Sequence, residues 1–306
     1  MAYELKLRAI LRQGWDVIHV WEEPYILAAS QITALAPRGT KLVYVSAQNI
    51  AKRYPPPFAS LERYTMRHAA GWIGFGQTVT DTLNAKPVYR NRPHRMIPLG
   101  VDTSVFRPDP DAAAATRNEL GWRVMREPPV VGYLGRFVAE KGLQLLMRAL
   151  DAVGSRARAL FVGGGPMEAE LREWARPHGD RVRIVTGVKH DEVPRWLNAM
   201  DILCAPSQTT PRWREQFGRM LIEAFACGVA VIGSNSGEIP HVIGDAGMVV
   251  DERDESGWIS ALEELLGDRA RRVDLGARGL DRAQRSYSWP VVARQHLQFF
   301  SEVACA

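Results

Sequence analysis

EQFGRMLIE at residues 215–223, continued by AFACGVAVIG at 224–233, decides the fold of this chain. Gly218 permits a sharp turn and a close approach of backbone to a ligand. Residues 219–227 then read as a short apolar helix stopped by Gly228, and 229–233 as a buried strand. The helix start near Gln216 to Gly218 points open N–H groups and the positive end of the helix dipole at whatever lies before it. Glu223 falls inside the apolar run, where a carboxylate is costly without a hydrogen-bond partner. Glu215 precedes the turn. One short segment therefore offers two hydroxyl acceptors and an anion cradle, which suits a sugar joined to a phosphate.

Working outward, strand and helix signals alternate along almost the whole chain. Before residue 110, short apolar runs at 16–20, 41–45 and 71–75 read as strands, with helices near 25–36, 58–69 and 78–84 between them. An Ala-rich helix follows at 111–120. Beyond it, strands are expected at 130–134, 158–162, 181–185, 201–205, 229–233 and 247–250. Helices are expected at 141–153, 166–176, 191–199, 219–227, 255–266 and 268–285, and a last one at 290–303. Such alternation predicts an α/β fold with parallel sheets covered on both faces. Ligands of these sheets bind beyond the carboxyl ends of the strands. The loops at Gly135, Gly163 and Glu215 each follow a strand, so they are expected to converge on one crevice.

Five blocks carry a resemblance to a known family. Residues 215–240 resemble the E-x7-E block of retaining GT-B glycosyltransferases, glycosyltransferase family 4 in particular. VGYLGR at 131–136 with EKG at 140–142 resembles that family's diphosphate-binding loop. FVGGGP at 161–166, AMDILCAPS at 199–207 and IPLGVDTSVF at 97–106 resemble the strand-and-turn, pre-loop and interdomain segments that accompany it. The resemblance implies a GT-B architecture of two Rossmann-like domains. Residues 1–124 would form the acceptor-side domain, with a C-terminal helix at 287–306 packing back on it, and residues 125–286 the sugar-donor domain. It further implies transfer of a sugar from a nucleotide-diphosphate donor, with retention at the anomeric carbon, no cofactor and no metal. Uridine or guanosine diphosphate is expected rather than adenosine diphosphate.

The same resemblance assigns roles. Arg136 and Lys141 would neutralise charge on the leaving diphosphate, Arg by a fork of donors and Lys as a point charge. Glu215 would sit by the transferred sugar, and Glu223 on the ribose hydroxyls. Gly135 and the backbone of Gln216, Phe217 and Gly218 would meet phosphate and sugar, and Val188 would face the base. His19, Gln48 and Asn49 are candidates on the acceptor side. Gln48 and Asn49 stand where many relatives carry His-Asp, so amides replace a titratable group there. Glu238 stands either to hydrogen-bond the donor sugar or to cap the helix that starts at Ile239, with capping the first expectation. Glycoside hydrolysis also uses two carboxylates, but no second acid stands out as a nucleophile here.

Relatives begin with a Gly-rich strand-turn-helix that has no counterpart before residue 16. The acceptor-side domain is therefore expected to lack roughly its first 80 to 100 residues, judged from ordinary unit lengths. That leaves an alternative to catalysis, a nucleotide-sugar-binding remnant or subunit. The three cysteines, Cys204, Cys227 and Cys305, have no metal-ligand or disulfide spacing, which fits a reducing cytoplasm. No apolar run reaches membrane-spanning length. The net charge is +5, and it is lopsided. Residues 1–127 hold 17 Lys and Arg against 11 Asp and Glu, whereas the remainder holds 22 against 23. A basic first part attracts anions, so a lipid-linked or glycan acceptor and peripheral membrane contact are candidate partners, with a small-molecule acceptor equally open. Nucleic acid is not, since no binding module accompanies the charge.

Overall fold

The structure, a computed structural model, describes residues 6–122 and 128–305. The chain divides into two compact units, Met1–Leu99 with Val292–Ala306, and Gly100–Val291. The boundary expected at 124/125 lies outside the described residues. The segment from Gly100 belongs to the second unit because side chains tie it there. Arg117 pairs with Asp201 at 3.0 Å and donates to the Ala199 carbonyl at 2.9 Å. The Asp109 N–H donates to Asn198 at 2.7 Å.

The first unit holds a parallel sheet of β1 (Val17–Val20), β2 (Lys41–Ser46), β3 (Gly71–Gly74) and β4 (His94–Met96), in that order. Alternate residues of the inner strands are buried on opposite faces, as a sheet covered on both sides requires. Leu42, Tyr44 and Trp72 pack into one cluster with Ala29, Ile32 and Met66. Val43, Val45 and Ile73 pack into another with Val292, Phe299 and Val303 of the last helix, Trp289–Cys305. β4 was not anticipated. Its three residues carry no apolar repeat, and it forms through backbone pairing to β3 and the stacking of His94 on Trp72 at 4.6 Å. A short helix, Leu7–Leu11, precedes β1.

The second unit contains the six strands expected: β5 (Val130–Arg136), β6 (Arg158–Gly164), β7 (Val182–Val185), β8 (Ile202–Ala205), β9 (Ala230–Ser234) and β10 (Met248–Val250). All pair in parallel, in the order β10-β9-β8-β5-β6-β7. The chain runs outward from β5 to β7, then returns to the other side of β5 as β8. The strand order therefore reverses between β5 and β8, and a crevice opens there beyond the carboxyl ends. Helices Leu143–Val153 and Glu255–Gly267 bury one sheet face around Tyr133, Phe161 and Ile202. Helix Arg219–Ala226 packs against β8 and β9.

Candidate functional site

β5 ends in Gly135 and Arg136. The chain then makes one tight turn, Ala139–Lys141, closed by Gly142 at φ +69°. Gly142 is required twice over. Its φ is in the left-handed region, and a Cβ there would come within 1.9 Å of the Pro206 carbonyl oxygen. The turns after β5 and β8 are thus in backbone contact across the switch point, reinforced by the Gln208 N–H donating to the Glu140 carbonyl at 2.8 Å. The turn carries Lys141 into the crevice.

Glu215 arrives from the other side. Its carboxylate is buried, and Oε2 accepts from the Lys141 ammonium and, at 2.9 Å, from Ser207 Oγ. Ser207 is itself fully buried and held through its carbonyl by Ser234 Oγ at 2.5 Å. The Glu215 carbonyl accepts from the Glu238 N–H at 3.1 Å, and a Cβ on Gly237 would meet that same carbonyl at 1.9 Å. Glu238 is buried at the start of helix Ile239–Ile243 and its side chain does not cap that helix, which corrects the capping expectation; its backbone N–H serves the Glu215 loop.

Helix Arg219–Ala226 begins at Gly218, whose φ is +81° and which has no side chain to bond the open N–H groups. One turn on, Glu223 is only 6% exposed. Burial pushes its carboxyl up to about 7 against the pull of Arg219, whose Nε lies 3.2 Å from Oε1. His190 Nε2 is 3.9 Å from the same oxygen. Burial, with the nearby Glu223 charge, pushes the Cys227 thiol up to about 12, so it is not a nucleophile at neutral pH.

These groups share one cavity of about 600 Å³ that lies wholly within the second unit. Gly135, Arg136, Lys141, Glu215, Gln216 and Glu223 all line it, as do Gly163 and Gly164 at the end of β6. Arg136 is exposed there, and among the described residues it forms no ion pair. The cavity thus joins three cations, Arg136, Lys141 and Arg219, with an uncapped helix start and two buried carboxylates. Its wall does not include Val188, Phe217 or Gly218. Phe217 turns inward, edge-on to Tyr287 at 6.0 Å between ring centres, and the wall towards β7 is built by His190 and the β6 glycines. Trp213, His190 and Arg219 also line the cavity and were not anticipated. Aromatic and cationic residues in a loop or on a helix start carry no periodic signal.

The three acceptor-side candidates belong to the first unit. His19 lies within β1. Its Nδ1 accepts from Trp21 Nε1 at 3.1 Å, and its Nε2 is buried with no hydrogen-bond partner among the described residues. Burial and the neighbouring His296 lower its pKa to about 4, so the ring is neutral. Gln48 is engaged at both ends of its amide, donating to Tyr54 and accepting from Lys86 Nζ at 2.7 Å. Lys86 also pairs with Glu62 at 2.8 Å. Asn49 is buried, and its carbonyl accepts from Thr82 at 3.1 Å.

Two all-parallel α/β units, one with a charged crevice at its switch point, give the chain the GT-B fold. Residues 128–268, within the second unit, match the family described as glycosyl transferases group 1. Among curated proteins, a GDP-mannose-dependent alpha-(1-6)-phosphatidylinositol monomannoside mannosyltransferase of Mycobacterium tuberculosis is 37% identical over 212 residues, which are 66% of this chain and 54% of that protein. A D-inositol 3-phosphate glycosyltransferase of Xylanimonas cellulosilytica is 31% identical over 68% of this chain and 51% of its own length. The chain spans about half the length of these relatives. Among solved structures, Anabaena HepE in complex with UDP superposes with a TM-score of 0.82 at 18% identity, over 97% of this chain and 82% of that one. Sucrose-phosphate synthase from Thermosynechococcus elongatus gives 0.73 at 23% identity, over 95% and 74%. At such identities the structures speak to the fold.

Proposed function

We propose that this protein transfers a sugar from a nucleotide-diphosphate donor to an acceptor hydroxyl, with retained anomeric configuration and without a metal. The observation that carries the reading is the meeting of Arg136, Lys141, Glu215 and Glu223 at the start of helix Arg219–Ala226, in one cavity. Arg136, Lys141 and the open N–H groups stabilise negative charge building on the leaving diphosphate. Glu223 takes the ribose hydroxyls. Glu215 takes a hydroxyl of the transferred sugar and opposes the positive charge that develops at its anomeric carbon. The leaving phosphate draws the acceptor proton, so no side-chain nucleophile is assigned.

Guanosine diphosphate mannose is the first sugar donor to test, because relatives at 37% and 34% identity are named as dependent on it. Uridine diphosphate glucose comes second. The names of the same relatives favour an inositol-bearing or lipid-linked acceptor. Among the described residues no helix is long and apolar enough to cross a membrane, and a cytoplasmic protein with peripheral contact to acidic lipid suits the basic first part of the chain.

Calorimetric titration with guanosine, uridine and adenosine diphosphate sugars tests the reading. One nucleotide class should bind the native chain and fail to bind Glu223→Ala. Transfer to inositol-bearing lipid, followed by proton NMR of the anomeric signal with and without a chelator, tests retention and metal independence. Binding without transfer would give the chain the narrower role of a nucleotide-sugar-binding subunit. No binding by any class would remove the proposal.

A further inference from the structure

The loop between β8 and Glu215 is a built feature. Its stem is pinned by three hydrogen bonds, two to Glu252 and one to Ser236. The Thr209 N–H donates to Glu252 Oε2 at 2.7 Å, Gln208 Nε2 donates to the Glu252 carbonyl at 3.0 Å, and Thr209 Oγ1 bonds Ser236 Oγ at 2.9 Å. Its tip is closed by a backbone bridge. The Thr210 N–H donates to the Trp213 carbonyl at 2.7 Å, and the Trp213 N–H donates to Thr210 Oγ1 at 3.0 Å. This bridge fixes the backbone of Trp213, and the half-buried indole lines the cavity two residues before Glu215. The Lys141 ammonium lies over the indole ring, 5.2 Å from its centroid.

A pyranose ring presents two chemistries at once. Hydroxyls around its rim seek charged or polar partners, and the C–H groups of one face seek a flat apolar surface. An aromatic ring beside a carboxylate answers both, and it gives a pocket orientation as well as contact area. In this cavity the diphosphate charge falls to Arg136, Lys141 and the helix start, and the ribose to Glu223. Trp213 stands next to Glu215, with no charge of its own to offer a phosphate. A diphosphate also competes for the Lys141 ammonium, which lies over the indole face, and the sugar carried on that diphosphate is then brought to the same face.

We propose that Trp213 is the platform on which the ring of the transferred sugar stacks, and so a specificity-determining residue of this site. The inference rests on the nucleotide-sugar reading above. It assigns to the indole the sugar portion of the ligand and none of the nucleotide.

The test compares guanosine diphosphate with guanosine diphosphate mannose, and uridine diphosphate with uridine diphosphate glucose, by calorimetry on the native chain and three variants. Trp213→Phe keeps a smaller ring. Trp213→Leu keeps apolar volume without a flat face. Trp213→Ala removes both, and thermal melting checks that each variant is folded. Trp213→Leu and Trp213→Ala should weaken the nucleotide sugar roughly three- to tenfold while leaving the free nucleotide within about twofold, and Trp213→Phe should keep most of the affinity. Should Trp213→Ala not fold, Trp213→Leu gives the answer. Equal losses for the free nucleotide and the nucleotide sugar would overturn the proposal, because the indole would then serve the nucleotide or the loop. Unchanged affinity for both would overturn it too. If the native chain binds nucleotides but shows no preference for the sugar-bearing form, the platform fails while the nucleotide site stands. If it binds neither, both fall together.

Discussion

The ammonium of Lys141, on the turn after β5, is bonded to the carboxylate oxygen Oε2 of Glu215, on the loop after β8. The pair bridges the two chain segments that part at the switch point of the second sheet. Both side chains are nearly buried, with 12% and 9% of their surface exposed. A buried pair has little net worth against an apolar pair of the same shape, yet losing one member strands the other charge. This asymmetry can be measured.

Lys141→Met alone and Glu215→Gln alone should each destabilise the second unit, by roughly 1–3 kcal/mol for a stranded charge nearly buried at the cavity wall. The double variant should be more stable than the sum of the single losses predicts. Urea unfolding of the three variants and the native chain gives the cycle. Simple additivity would mean that the two side chains do not interact in solution.

Glu223 makes stability depend on pH in a direction opposite to that of a salt-bridged carboxylate. Its carboxyl is raised from 4.5 to about 7, so the folded state holds the proton more tightly than the unfolded state does. That contribution is complete below pH 4.5 and is lost as pH rises through 7. Glu223→Gln mimics the protonated form. Its stability relative to the native chain should therefore climb between pH 4.5 and 8, with a ceiling of about 3 kcal/mol. A difference that is flat across this range in urea titrations would show Glu223 to be solvated.

Gly142→Ala should cost far more than the same change at Gly187. Both have φ near +70°, at +69° and +72°, but only Gly142 has a carbonyl where the methyl must go. At Gly187, with nothing within 4 Å, strain alone costs about 1 kcal/mol. At Gly142 the Pro206 contact forces the two turns apart, and a loss on the order of 3 kcal/mol is expected. Nucleotide affinity should fall with it, since Lys141 rides on the displaced turn. Equal melting temperatures for the two variants would contradict the geometry.

His19 should titrate as a neutral, buried imidazole. Its pKa is lowered from 6.5 to about 4, so it adds stability that is present above pH 6.5 and lost as pH falls towards 4. The His19 ring signals, assigned by comparison with His19→Asn, should move with a midpoint near 4 in an NMR titration. A midpoint near 6.5 would place the ring in water.

Much of this was legible before any coordinates. The six strands of the second unit are short apolar runs, as expected of a parallel sheet covered on both faces. Gly135, Gly142 and Gly218 marked places where only a residue without a Cβ fits. Glu223 stood out as a charge in an apolar helix. β4 was not legible, since His94 to Met96 pair through their backbone. Nor was the fate of Gln48, whose amide is claimed by Lys86 from a distant helix end. Trp213 was hidden for the same reason: its placement follows from a bridge to Thr210 that no periodicity announces.

The chain's division has a bearing on its synthesis. The second unit is one uninterrupted stretch, Gly100–Val291, whereas the first combines Met1–Leu99 with Val292–Ala306. On the ribosome the last helix of the first unit therefore emerges after the whole of the second. Until the final helix emerges, Val43, Val45 and Ile73 lack the Phe299 and Val303 that cover them. For that interval the nascent chain carries an open apolar face and is open to chaperone capture or to faulty association with its neighbours on the same message.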